Sequence, residues 1–92
     1  MSLLNKEQIE ENLQGLNNWF ISEKVIKKKL NFNSYMDSIR FINQIAIKAE
    51  ESNHHPDMII GYCEIEISFT SHDKGGVTFD CIHMAKFVES IL

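Results

Sequence analysis

One proline and four glycines are all that interrupt 92 residues, so collagen-like, linker-like and low-complexity architectures are excluded. No apolar run approaches the roughly 20 residues that cross a bilayer, and no membrane role is expected. The stretch from Met1 to Glu11 is polar and acidic and lacks the basic-then-apolar order of a secretion signal, so a cytoplasmic location is expected. Basic residues are scarce as well. Nine Lys and Arg against thirteen Asp and Glu leave a net charge of −4, which opposes non-specific attraction to phosphate backbones, and no direct nucleic-acid partner is expected. The two cysteines, Cys63 and Cys81, form no CxxC pair, which argues against a stapled secreted scaffold; each reads as a small, half-buried free thiol.

What is present is an ordinary apolar share, 43% hydrophobic and 10% aromatic, enough for one core and a single domain over residues 1–92. Leu4, Ile9, Leu13 and Leu16 recur at helical spacing, which predicts a first helix over 5–16, stopped by Asn17 and Asn18. Trp19 to Phe32 reads as a hairpin around Ser22-Glu23-Lys24. Its second strand alternates, with Ile26, Leu30 and Phe32 inward and Lys27, Lys29 and Asn31 outward, so the triple lysine is read as a solvated strand face. Asn33 or Ser34 can cap a long helix whose inner stripe is Tyr35, Ile39, Ile42, Ala46 and Ala49, flanked by Met36, Phe41 and Ile45. That helix must end near Glu51 or Ser52, because Pro56 holds His55 in extended or turn geometry.

Met58 to Tyr62 is a short apolar run. Cys63 to Ser71 then alternates, with Ile65, Ile67 and Phe69 inward, which places His72 on the opposite parity, open to solvent or a ligand. A turn at Asp73-Lys74-Gly75-Gly76, an N-cap at Thr78, and Ile82, Ala85, Val88 and Leu92 on an inner stripe predict a last helix. The resulting order is α-β-β-α-β-β-α. Paired strands separated by helices predict an α+β fold, a two-layer sandwich in which helices cover one face of a four-stranded antiparallel sheet.

Three of the four histidines, His54, His55 and His72, fall in or beside loops at the ends of these elements. An imidazole both gives and takes protons near neutral pH, and a loop on a rigid scaffold is a common place for such work. Surface histidines that merely satisfy turns are the plain alternative. Zinc is another, with Cys63 or Cys81 as further ligands, but paired short spacings such as CxxC or HxxxH are missing. A nucleophilic serine or cysteine is disfavoured by the lack of a Gly-x-Ser-x-Gly elbow or a suggestive cysteine setting. Gly75-Gly76 reads as a turn, lacking the spacing of a phosphate loop.

Ala49-Glu50-Glu51-Ser52-Asn53-His54-His55-Pro56-Asp57, then Tyr62, then Ser71-His72-Asp73-Lys74-Gly75-Gly76-Val77-Thr78, resembles the pterin-4a-carbinolamine dehydratase family. That family's pattern has an acid before a His-His-Pro, an aromatic downstream, and a Thr-His-Asp-x-Gly-Gly-Leu-Thr segment. The likeness extends from about Trp19, through Leu30-Asn31-Phe32 and the Phe41 to Ala49 helix, to Met84-Ala85 and the end of the last helix. It implies that His54, His55 and His72 line a pterin pocket as the catalytic residues, with Glu50, Pro56, Asp57 and Trp19 on the substrate-binding side. Glu50 stands one helical turn before His54 and is a candidate to orient it or to meet the pterin, Pro56 would fix the loop, and Trp19 also reads as core. One departure is clear: the family's aspartate in the last helix falls on Cys81, with Asp80 one residue earlier. Ser71 replaces a threonine and Met58 a frequent aromatic.

The reaction so implied is loss of water from a 4a-hydroxytetrahydropterin to give the quinonoid dihydropterin, as in tetrahydrobiopterin recycling. Histidines would act as general acid and base, without a metal or redox cofactor: His54 leading, His72 as its partner, His55 binding or orienting. A small domain with apolar sheet edges and an amphipathic helix can also self-associate, and a homodimer or homotetramer is expected. The alternative to an enzyme is a non-enzymatic module, since some members of the family serve as dimerisation cofactors for a transcription factor.

Overall fold

A computed structural model describes residues 2–92. The elements follow the order α1 (Lys6–Leu13), β1 (Phe20–Ser22), β2 (Val25–Asn31), α2 (Tyr35–Ser52), β3 (Asp57–Gly61), β4 (Glu64–Phe69) and α3 (Phe79–Ile91). The sheet runs β1-β2-β4-β3, antiparallel at every pairing, and the helices cover one face of it: the α+β two-layer sandwich expected from the sequence. β4 lies between β2 and β3, with Lys28 opposite Ile67 and Ile60 opposite Ile65. Its inward residues Ile65, Ile67 and Phe69 are fully buried and form the floor of the core, which Ile45 and Ala49 of α2 and Ile82, Ala85 and Val88 of α3 complete.

Local chemistry explains where the helices begin. Asn5 caps α1 in a capping box: the Gln8 backbone N–H donates to Asn5 Oδ1 at 2.8 Å, and the Asn5 N–H donates to Gln8 Oε1 at 2.9 Å. Such a cap is worth about 1 kcal/mol. Ser34 caps α2 by accepting from the Asp37 N–H at 3.1 Å. Thr78 occupies the N-cap position of α3 with extended backbone, yet its hydroxyl makes no cap bond, being engaged elsewhere.

Four expectations shift. α1 stops at Leu13, three residues short of Leu16, as Gly15 takes a left-handed φ of 83°. In α2 the buried stripe is Ser38, Phe41, Ile45 and Ala49, while Tyr35 and Ala46 are exposed. The helix is apolar on more than one side, so periodicity alone could not decide which side meets the sheet. In α3 Leu92 is exposed, and Cys81 and Met84 join the inner stripe. Lys28 shares the parity of Ile26 and Leu30 and is buried: its ammonium finds Glu89 Oε2 at 2.6 Å, which allows a charge on the core side of β2. Its neighbour Lys29 is exposed, as the strand alternation requires. Among the described residues no helix is long and apolar enough to cross a membrane.

Candidate active site

The three histidines arrive from two loops at one end of the sandwich. α2 ends in a left-handed Asn53 (φ 48°, ψ 43°), a conformation that asparagine tolerates better than most residues. The turn sends the chain back so that the His54 N–H donates to the Ala49 carbonyl at 3.0 Å. Pro56 then leads directly into β3. His72 comes from the turn after β4, which is held closed by the Ser71 N–H on the Gly76 carbonyl at 2.8 Å and the Gly75 N–H on the Ser71 carbonyl at 2.8 Å. Gly75 supplies the positive φ of 78° that this turn needs.

His54, His55 and His72 line one open recess of about 240 Å³ together with Asn53, Thr70, Ser71 and Asp73. His54 is the deepest of them. Its ring lies nearly parallel to that of Phe69, at 13° and 6.2 Å between centroids, and its Nε2 is 3.2 Å from Cys81 Sγ. Burial holds its pKa below the usual 6.5, with Asp80 and Asp73 opposing that shift and His55 and His72 adding to it. His55 is more exposed, with Nε2 against Glu50 Oε2 at 2.5 Å. His72 places Nε2 at 3.4 Å from Asp57 Oδ2. Each ring thus engages a neighbour through Nε2, which leaves Nδ1 as the nitrogen for other work. His54 also faces a second hollow of about 510 Å³, shared with Lys48, Asp80, His83 and Lys86.

The other candidates distribute unequally. Glu50 orients His55, where the sequence suggested His54, because His54 turns inward under Phe69 while His55 stays near the last turn of α2. Asp57 serves His72 across the site from the first residue of β3. Pro56 is half-buried between loop and strand and does not line the recess. Trp19 lies apart from it: the side chain is 7% exposed, packs on Phe69 with ring centroids 6.1 Å apart, and its indole N–H donates to Glu89 Oε2 at 3.0 Å. A larger hollow, about 550 Å³, is at the opposite end of α2 and α3, among Phe32, Phe41 and Ile91, and carries no histidine. Among the described residues no trio of His, Cys, Asp and Glu gathers closely enough to hold a metal ion.

The family resemblance puts Cys81 at an aspartate position, but the sequence did not convey that it would be buried against His54. It is fully buried one turn into α3, beside Ser71 and Thr78, whose hydroxyls are 2.7 Å apart. The available signal was its spacing from Ile82, Ala85 and Val88, which turns it inward, and from Thr78, one turn before it.

Residues 2–91 match the family model described as pterin 4 alpha carbinolamine dehydratase. A protein of Prochlorococcus marinus strain NATL2A, provisionally named pterin-4-alpha-carbinolamine dehydratase, is 32% identical over 92 residues, covering 100% of this chain and 97% of the relative. The crystal structure of a transcriptional coactivator/pterin dehydratase from Brucella melitensis superposes with a TM-score of 0.93 at 26% identity, covering 98% of each chain. A pterin dehydratase-like protein identified as a RuBisCO assembly factor in the alpha-carboxysome shares the fold, with a TM-score of 0.66 at 19% identity over 79% of this chain and 84% of its own.

Proposed function

Since the chain belongs to the pterin-4-alpha-carbinolamine dehydratase family, we propose that it removes water from a 4a-hydroxytetrahydropterin by histidine acid–base catalysis, as a step of tetrahydrobiopterin recycling. The observation that carries this reading is that His72, from the turn after β4, lines one recess with the adjacent pair His54 and His55 from the loop after α2. At about 240 Å³ that recess is smaller than the roughly 300–1,000 Å³ of drug-sized sites, and suits a small flat ring lying partly in solvent.

Hydroxide leaves C4a poorly, so an acid protonates the departing oxygen while a base takes the proton from N5, whose electron pair forms the new double bond. The products are water and the quinonoid dihydropterin; no electrons are gained or lost overall. His54, kept neutral by burial, has the lone pair that a base requires. His72, across the recess beside Asp57, is the partner that donates to the hydroxyl, and His55, tethered to Glu50, holds the ring. The same reading includes self-association into a homodimer or homotetramer. β3 supports it as an edge strand whose Ile59 and Ile60 are exposed, followed by an exposed Tyr62.

The test is dehydration of freshly generated 4a-hydroxytetrahydropterin by the wild type beside His54→Ala and His72→Ala. Each variant is expected to lose about 100- to 10,000-fold in rate with circular dichroism unchanged. Full activity in either would remove that residue from the mechanism. The non-enzymatic reading draws on the Brucella melitensis protein, which is described as a transcriptional coactivator as well as a pterin dehydratase; a chain of that kind with a dead pocket would neither dehydrate the substrate nor quench pterin fluorescence.

A further inference from the structure

Cys81 has a setting that simple core packing does not explain. It is fully buried, yet three polar atoms surround its sulfur: His54 Nε2 at 3.2 Å, Ser71 Oγ at 3.8 Å and Thr78 Oγ1 at 4.0 Å. Ser71 and Thr78 are themselves buried and bonded to one another at 2.7 Å. Thr78 thus stands at the N-cap of α3 with its hydroxyl on Ser71 and no side-chain cap bond. A hydroxyl pair lies on one flank of the sulfur and an imidazole on the other.

The geometry points to Cys81 as the positioning residue of this site: its sulfur accepts a hydrogen bond from His54 Nε2–H, fixes the ring against Phe69, and leaves the Nδ1 lone pair as the group that takes the proton. The inference rests on the dehydratase reading for its catalytic consequence, though not for the hydrogen bond itself. A thiol has one proton to place. Directed at the Ser71 and Thr78 oxygens, it leaves sulfur lone pairs for Nε2–H. When Nδ1 then gains a proton, Nε2–H already has its acceptor and nothing must turn round, which is what preorganisation requires. Were the thiol instead to donate to Nε2, the neutral ring would carry its proton on Nδ1 and have no lone pair free for a base.

The acceptor is also uncharged. A carboxylate at this position would stabilise the imidazolium, whereas a thiol leaves His54 governed by burial and by the more distant groups around it. Those groups are Asp80 of α3, Asp73 and His72 of the turn after β4, and His55 next to it, with Lys48, His83 and Lys86 lining the hollow on its other side. Cys81 therefore both aims the ring and keeps it a base.

Nitrogen-15 NMR of the His54 imidazole, recorded through a pH titration without any pterin, tests this on the wild type and on Cys81→Ala, Cys81→Ser and Cys81→Asp. The wild-type ring should be the Nε2–H tautomer and titrate below pH 6.5. Cys81→Ala should leave a mixture of tautomers, Cys81→Ser should restore most of the Nε2–H form, and Cys81→Asp should raise the titration by about one pH unit or more. In the dehydration assay Cys81→Ala should lower kcat by roughly 10- to 100-fold with KM little changed. The acid limb of the Cys81→Asp profile should follow its ring to higher pH. If Cys81→Ala does not fold, the nearly isosteric serine and the aspartate carry the test. A wild-type ring in the Nδ1–H form, or one indifferent to all substitutions that fold, overturns the inference. Should the ring respond as stated while the wild type fails to dehydrate the pterin, the hold of Cys81 on His54 stands and the proposed reaction falls.

Discussion

The Trp19–Glu89–Lys28 cluster and the histidine recess are both polar islands set against the same apolar core, but their donors and acceptors are distributed differently. In the first, one carboxylate oxygen, Glu89 Oε2, accepts from the Lys28 ammonium at 2.6 Å and from the indole N–H at 3.0 Å, and the lysine and glutamate side chains are only 10% and 25% exposed. The carboxylate oxygen pairs both donors, although Lys28 also borders the hollow of about 550 Å³ and Trp19 one of about 430 Å³. In the second, three imidazoles each engage one neighbour through Nε2 and share a recess open to solvent. A polar group in an interior must be satisfied. When the protein satisfies it completely the result is structure, and when it leaves one nitrogen of each ring uncommitted the result is a place for chemistry. Trp19, which the family resemblance associates with substrate binding, stands here on the closed side of that divide.

The largest effect that separates the two clusters is on stability. Glu89→Ala leaves a buried ammonium and an indole N–H without their acceptor, and urea unfolding should show a loss of about 2–3 kcal/mol, below the 3–5 of a fully buried pair because Glu89 keeps a quarter of its side chain in solvent. Dehydration per folded molecule should not change. The double variant Lys28→Met with Glu89→Gln removes both charges and keeps a carbonyl for Trp19, and should recover most of the loss. If instead Glu89→Ala cripples turnover in folded protein, Trp19 and its partners belong to the site after all.

A smaller effect is expected on the open side. Asp57→Asn keeps the shape of β3 and removes the anion 3.4 Å from His72 Nε2. Both groups are largely exposed, so unfolding should move by no more than about 0.5 kcal/mol. A drop of a few-fold up to about tenfold in kcat/KM, read against an unchanged urea midpoint, would show Asp57 acting through His72; an unchanged rate would reduce it to a surface pair.

How much of this was legible in the sequence follows from the same contrast. Strict alternation in β4 allowed only one assignment: Ile65, Ile67 and Phe69 inward, Ser71 with them, and His72 out. The pre-proline restriction ended α2 before the histidines, and the structure ends it at Ser52. The inner stripe of α2 was harder, since Ile45 and Ala46 each begin a plausible face and only the sheet decides between them. Strand alternation puts Lys28 on the side of Ile26 and Leu30, but its counter-ion lies 61 residues away on α3, where no local pattern reveals it. The partners of the histidines were hidden for the same reason. Nothing local pairs His54 with Cys81 or His72 with Asp57; those contacts exist only once two loops and a helix end meet.

The weakest expected signal separates the clusters by proton linkage. His54 takes up a proton less readily in the folded protein than the ordinary 6.5 because burial disfavours its charged form. Above pH 6.5 folded and unfolded chains both keep this ring neutral, and its contribution to stability is fully present. As pH falls below 6.5 the unfolded chain binds the proton first, so stability declines until the folded ring also titrates, and this contribution is then constant. One proton can account for at most about 1.4 kcal/mol per pH unit, and the partly exposed ring will give less. Urea midpoints of the wild type and His54→Gln at several values from pH 7.5 to about 5, above the range where carboxylates dominate, isolate the effect, because every other histidine is common to both. The wild type should lose stability toward acid more steeply than the variant. Equal slopes would mean that His54 is not held neutral by the fold, and the division between the open histidine cluster and the Trp19–Glu89–Lys28 cluster would lose its electrostatic basis.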